Sequence, residues 1–349
     1  MRQTKKRKFQ KRWIILIAIL AFIHFFQLPY YYSEPGEGKV LSEVINVEGG
    51  HEEDGTFMLT TVRMGKANPI FYFWAQFSEY RELYPEEQIR HEGETDEEYH
   101  HRQLMLMDHS KVTAKIVAYE HANRPVDYTY HGVLVTQVID GMPAAEKLKA
   151  GDHIIAVDDE PVLEADELLE KLQGRTEGET VKLTVKREEG EPFDVILTFE
   201  PFPEHLQVED GRVGVGISYP VTDRDVIFDP EVTIDSSEIG GPSAGLMFSL
   251  EIYNQLQEED LTKGYHIAGT GSINEEGEVG RIGGVKQKIV AAHKAGADYF
   301  LAPNEHGAEQ SNYKEALEAA EDIGTEMKII PIDTFEEALQ FLQSLEPRV

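Results

Sequence analysis

The chain has 349 residues, 41% hydrophobic and 9% aromatic, which suits two or three folded units and excludes wholesale disorder. Its 33 basic and 64 acidic residues give a net charge of -31, a field that repels the phosphates of nucleic acid. There is no cysteine, which excludes disulfide scaffolds, thiolate metal sites and cysteine nucleophiles together.

Residues 1–12 form a basic tail with seven cations and no acid, and everything downstream is correspondingly more acidic. An apolar run follows from Trp13 to Ile23 and continues through Phe25, Phe26 and Leu28 to Tyr30, Tyr31 and Tyr32. Twenty residues at about 1.5 Å each cross a hydrocarbon core of roughly 30 Å, so residues 13–32 are predicted to be a transmembrane anchor. The cations should stay in the cytoplasm, with Trp13 and the three tyrosines marking the two interfaces. A cleaved signal peptide is the competing reading, but Gln27-Leu28-Pro29-Tyr30 is too bulky for a cleavage site. The rest of the chain is therefore expected outside the membrane.

Residues 33–38 (Ser-Glu-Pro-Gly-Glu-Gly) read as a short exit linker, opening a segment that extends to 129. Within it, Thr56–Val62 is β-rich and predicts a strand. Residues 68–120 join aromatics such as Tyr72, Phe73 and Trp74 to a helical stretch bearing His91, His100 and His101. No His-Glu-x-x-His spacing occurs there, so a solvated helix face is expected and no metal site.

Residues 130–203 form a module. Gly132–Val138 alternates as a strand, Gly141–Ala145 turns into a short helix, and Leu148–Asp158 supplies a turn and a strand. Leu168, Leu169 and Leu172 have the spacing of a packed helix face, and strands are predicted at Val181–Val185 and Val195–Phe199. On "GMPAAEKLKAGDHIIAVDDEPV" this module resembles a PDZ domain of the bacterial protease-associated type. Such a domain adds an extended peptide to its sheet beside a helix. The resemblance places that groove between Val133, Leu134 and Val135 on one side and Leu168 and Leu172 on the other. A spacer with an occluded groove is the alternative.

From 204 to 349 the pattern changes to strands, helices and glycine-rich turns. Val213-Gly214-Val215-Gly216-Ile217 lacks the third glycine and the helix signal of a phosphate loop. No Gly-x4-Gly-Lys-Ser/Thr occurs either, so no nucleotide cofactor is expected. Gly240-Gly241-Pro242-Ser243-Ala244-Gly245-Leu246 opens a predicted helix with proline in its first turn. Amides at such a helix start, near Gly241 and Ala244, suit a developing oxyanion. Taken alone, the pattern fits a capping serine better. Ser311-Asn312-Tyr313-Lys314 has the Ser-x-x-Lys spacing of penicillin-recognising enzymes, but their companion signatures are absent.

With "GGPSAGL", "AGTGSI", "GRIGGVKQKIVAAHKAGA" and "LAPNE" in order, residues 210–340 resemble the proteolytic domain of the Lon family. Joined to the anchor and the PDZ-like module, the chain resembles bacterial membrane-anchored Lon-like proteases that lack the family's ATPase domain. The resemblance implies an α+β fold and a serine–lysine dyad without cofactor or metal. It assigns Ser243 as nucleophile, Lys288 as base, and Thr270 as the residue that orients the lysine. Lys286 is then a decoy. A helical wheel agrees, since Lys288 lies among Val285, Ala292 and Ala295 while Lys286 falls beside Val290 and His293. Where many Lon proteases have an acidic residue three before the nucleophile, this chain has Gly240.

A lysine base must be neutral. With an ordinary pKa of about 10.4, reaching neutrality near pH 7 costs about 4 kcal/mol, which an apolar, closely packed site supplies by disfavouring the ammonium. The expected function is an ATP-independent serine endopeptidase in the bacterial cell membrane, cutting unfolded or flexible extracytoplasmic polypeptides delivered by the PDZ-like domain. Thr56–Val62 would be an extra strand of the protease domain, which makes the PDZ-like module an insertion. Related domains form hexameric rings, which leaves self-association open. The rival reading is a catalytically silent, membrane-anchored PDZ adaptor, which would not need the intact set of Ser243, Lys288 and Thr270.

Overall fold

The computed structural model of the chain describes residues 23, 25–78, 80–90, 94–188, 190–203, 212–235 and 239–348. Most of the expected anchor, residues 13–22 and 24, lies outside these. No helix among the described residues is long and apolar enough to cross a membrane. The carboxyl end of the expected anchor needs correction. Tyr30, Tyr31 and Tyr32 open strand β1 (Tyr30–Val40), and Tyr31 is buried in protein. Tyr30 meets Tyr72 edge-on at 5.1 Å and Tyr32 stacks on Phe71 at 4.5 Å, so these rings serve internal packing.

The linker expected over 33–38 is the middle of the same strand. Proline and glycine are poor strand residues, but the register of β1 against β2 (Thr56–Lys66) shifts between Pro35 and Gly38, and such an irregularity tolerates both. Glycine is required at 38 because a Cβ there would lie 2.6 Å from the Cβ of Ala295. Helix α1 (Pro69–Ala75) starts where the Asn68 side chain accepts from the amides of Ile70 and Phe71, with proline in the first turn. Strand β3 (Glu82–Pro85) pairs with the other edge of β1. Helix α2 (Asp96–His121) begins in a capping box of Thr95 and Glu98. It buries Met107, Ala114, Val117 and Tyr119, while His100 and His101 face solvent. His91 lies outside the described residues.

Residues 127–227 form a compact unit of their own. Its strands are β4 (Val126–Leu134), β5 (Asp152–Val157), β6 (Thr180–Arg187), β7 (Phe193–Thr198) and β8 (Val221–Phe228), with helix α3 (Ala165–Leu172) between β5 and β6. The sheet order is β7-β6-β5-β4-β8. The boundary expected at 203 therefore moves to 227. Strand β8 returns to the sheet beside β4, and the short strands Val213–Gly214 and Ile217–Ser218 pair with Glu200–Pro201 and Gln137–Val138. The strand expected as Gly132–Val138 ends at Leu134.

The remaining elements are α4 (Gly245–Leu256), β9 (His266–Gly269), α5 (Val285–Lys294), β10 (Tyr299–Pro303), α6 (Asn312–Asp322), β11 (Lys328–Ile332) and α7 (Phe335–Gln343). They join the amino-terminal elements in a six-stranded sheet of order β11-β10-β9-β2-β1-β3. Residues on both sides of the 127–227 unit thus build one sheet, with β9 parallel to β2 and His266 opposite Thr56. Strand alternation decides the layers. Phe57, Leu59, Ile267 and Leu301 face a core that includes α2, α4 and α7. Met58, Ala268, Phe300 and Ala302 face a second core with α5 and α6. The architecture is mixed α+β. Helix α4 is buried almost all round, as its apolar run Leu246-Met247-Phe248 and Leu250 requires.

Two turns into α4, the fully buried Glu251 confronts Glu53. Gln255 Nε2 donates to Glu251 Oε1 and Asn254 Nδ2 to Glu53 Oε2. The other oxygen of each carboxyl has no hydrogen-bond partner unless a proton is shared between them. Burial first, then repulsion from Glu251, pushes Glu53 up to about 8, and burial pushes Glu251 up to about 7. Both are raised above the unfolded carboxylate value, so their contribution is complete at low pH and lost as pH rises towards 8. Stability should fall by about 1.4 kcal/mol per pH unit per proton in that window, roughly 2–4 °C in Tm. Glu251→Gln should flatten this slope in a thermal scan from pH 5 to 9. Parallel curves for the two proteins would contradict the shared proton.

Candidate active site

Three elements deliver the polar groups of one small cluster. Ser243 stands two residues before α4, Thr270 follows β9, and Lys288 lies on the second turn of α5. The start of α4 is held from two sides. Gly271 N donates to the Ser243 carbonyl at 3.0 Å, and Leu246 N donates back to the Gly271 carbonyl at 3.1 Å. From α2, the Gln103 carbonyl accepts the Gly241 amide at 2.9 Å and Ser110 Oγ donates to the Pro242 carbonyl at 3.2 Å. Gly241 adopts φ +87°, a left-handed conformation that glycine takes without strain.

Lys288 Nζ lies 2.8 Å from Ser243 Oγ and 2.8 Å from Thr270 Oγ1. Thr270 Oγ1 donates to the Ser243 carbonyl at 2.9 Å. That bond uses the only proton of the threonine hydroxyl, which leaves it an acceptor towards Lys288. A neutral amine that gives one N–H to Thr270 can turn its lone pair to the Ser243 hydroxyl. Lys288 is only 4% exposed, and burial alone lowers its pKa to about 7. Its helix neighbours Val285, Ile289, Ala291 and Ala292 are all buried, and such apolar surroundings disfavour the ammonium. Ser243 itself is half-buried. The arrangement can deprotonate a hydroxyl at neutral pH.

The decoys fall elsewhere. Lys286 is half-buried and pairs with Glu318 at 3.5 Å on the surface. Ser311 is the amino-terminal cap of α6, accepting from the Lys314 amide. Of the two amides expected near an oxyanion, that of Gly241 is already committed to Gln103 and needs removing from the set. The Ala244 amide, at the start of α4, has no acceptor among the described residues. Gln103 and Ser110 were missed. Their signal in the sequence is no more than two polar residues on a mostly polar helix.

In the 127–227 unit the expected groove is also redrawn. Val133 and Val135 are core residues, and β4 lies between β5 and β8, so neither edge of that strand is free to receive a peptide. Leu134, half-buried, is paired opposite His153 in the same sheet. Leu168, Leu169 and Leu172 line a cavity of about 450 Å³. Its other wall is Val213, Gly214, Val215, Gly216 and Ile217. These residues were considered above only as an incomplete phosphate loop.

Residues 228–344 match the Lon protease (S16) C-terminal proteolytic domain, and residues 106–197 match the PDZ domain family. The chain thus combines a Lon-type proteolytic domain with a PDZ domain. It is 38% identical over 101 residues to a Lon protease of Campylobacter concisus, covering 29% of this chain and 12% of that protein. A Lon protease of Chloroflexus aggregans is 32% identical over 106 residues, 30% of this chain and 12% of its own length. The chain spans only 11% to 16% of the curated relatives it matches. Among solved structures, the PDZ domain of the SdrC-like protein from Listeria monocytogenes is 29% identical, covering 26% of this chain and 88% of that one, with a TM-score of 0.23.

Proposed function

We propose that this chain is an ATP-independent serine endopeptidase, anchored in a bacterial membrane by the apolar run that begins at Trp13, in which Ser243 is the nucleophile and Lys288 the general base. The observation that carries the reading is the 2.8 Å approach of a buried lysine amine to the Ser243 hydroxyl. As Ser243 Oγ bonds to the carbonyl carbon of a peptide, its proton passes to the neutral Nζ. The oxyanion that forms lies near the amide of Ala244, at the positive end of α4. Collapse breaks the C–N bond, the lysine returns the proton to the leaving amine, and an ester remains on Ser243. Water then attacks the ester, giving its proton to Nζ, and the acid is released with the hydroxyl restored. Thr270 keeps the amine aimed throughout.

Substrates on this reading are unfolded or flexible polypeptides outside the cytoplasm. The PDZ domain holds an extended apolar segment between α3 and residues 213–217. A carboxylate in that cleft, as in Ile217→Glu, should raise KM about tenfold and leave kcat unchanged, since about 1–2 kcal/mol of apolar contact is lost only in binding. An unchanged KM would remove the groove from substrate capture. The reading as a whole is tested with the full chain in detergent and unfolded casein, without nucleotide. Cleavage by the wild type and none by Ser243→Ala is expected. Equal cleavage by both would leave a binding protein without this chemistry.

A further inference from the structure

Residues 67–78 carry no charge, in a chain where 28% of residues are charged. They include α1, whose two faces differ. Phe71 and Tyr72 pack inward on Tyr32 and Tyr30. Ile70, Phe73 and Trp74 are 50%, 63% and 47% exposed, and Phe77 just beyond the helix is 74% exposed. Phe73 and Phe77 lie against each other, ring centroids 4.9 Å apart, so the exposed rings form one patch. Four large apolar side chains exposed along one face of a helix mark an interaction surface.

The chain's own path favours one occupant. Leu28 N donates to the Ala67 carbonyl and Ala67 N to the Tyr30 carbonyl, both at 2.8 Å, and the next residue caps α1. The helix is therefore tied to the point where the apolar run from Trp13 to Ile23 enters the fold. Residues 24–28 span at most about 17 Å when fully extended. The headgroup layer of a bilayer adds several ångströms on each side of the hydrocarbon. Phe25 and Phe26, on the way, are exposed as well. At the rim of the patch the Arg81 guanidinium sits 3.5 Å over the Trp74 ring and pairs with Glu34 at 3.0 Å.

We propose that Ile70, Phe73, Trp74 and Phe77 form a foot that inserts into the interfacial layer of the lipid bilayer and fixes the height of the proteolytic unit above it. This rests on the reading of the apolar run that begins at Trp13 as a membrane anchor. Tryptophan and phenylalanine on one face of a short helix suit that layer, where apolar rings leave water and polar edges stay wet. A second copy of the chain is the other occupant of such a patch, and the test separates them.

The chain has two tryptophans, Trp13 in the apolar run and Trp74 in α1. Full-length Trp13→Phe and Trp74→Phe proteins would be reconstituted in phosphatidylcholine vesicles brominated at acyl carbons 6 and 7. Trp74 emission should fall by about half, as for an indole at the interface. Adding Phe73→Asp and Phe77→Asp should abolish that quenching, while Trp13 stays quenched in the Trp74→Phe protein with the same two changes. Quenching of Trp13 without quenching of Trp74 overturns the foot and leaves the anchor standing. Trp74 shielded from both bromine and aqueous iodide assigns the patch to a second copy and overturns the foot. No quenching of either tryptophan overturns the foot and the anchor together.

Discussion

Lys288→Met should lower kcat for casein by about 10²–10⁴-fold, the range a positioned general base contributes. The same protein should melt higher than the wild type, by roughly 5 °C or more near pH 7. Both effects have one cause. The site holds an amine whose pKa is lowered to about 7 because its surroundings exclude water. Methionine fills the same space without a group to desolvate, so the fold recovers on the order of 4 kcal/mol at neutral pH. The hydrogen bond from Thr270 to the Ser243 carbonyl survives the change, so the cluster keeps its shape. Lys286→Met is the control. Its side chain is on the surface with Glu318, and neither activity nor Tm should move measurably. Loss of activity with Lys286→Met and retention with Lys288→Met would reverse the assignment.

The second large effect is on pH. Only the neutral amine can accept the Ser243 proton, so kcat/KM should rise tenfold per pH unit below about pH 7 and level off above it. Between pH 5 and pH 7 the change is about 50-fold, and from pH 5 to the plateau about 100-fold. Below about pH 7 the stability slope from Glu53 and Glu251 runs in the opposite direction, with stability falling as pH rises; above it the cost of the Lys288 ammonium is relieved and offsets that fall. Glu251→Gln should flatten the Tm curve and leave the rate profile in place. A rate that turns near pH 10, the ordinary lysine range, would mean that the amine is solvated during catalysis.

The site was more legible in the sequence than the fold around it, for physical reasons. Ser243, Thr270 and Lys288 sit in glycine-rich motifs whose close packing tolerates little variation, so a short string carries the whole local geometry. The structure brings these three within hydrogen-bonding distance. Strand β2 was legible from its β-branched and aromatic run, and it pairs with β9 across about two hundred residues of chain. Residues 33–38 were not legible. Proline and glycine read as linker, yet an irregular register and the close approach of Ala295 to Gly38 make them strand. The three tyrosines after the apolar run misled similarly, because an aromatic ring suits a lipid interface and a protein core equally well. The groove failed on register. Val133 and Val135 alternate like a strand that could receive a peptide, but only tertiary pairing reveals that β8 already occupies its free edge. The groove wall at Val213–Ile217 has two glycines and few side chains, which gives periodicity almost nothing to report.

The central claim is a lysine held neutral at physiological pH beside a serine hydroxyl. Its most direct test is a carbon-13 titration of protein labelled at lysine Cε, with Lys288→Met to assign the resonance. One lysine resonance, absent from the variant, should titrate near pH 7. A spectrum in which every lysine titrates above 10 would contradict the account.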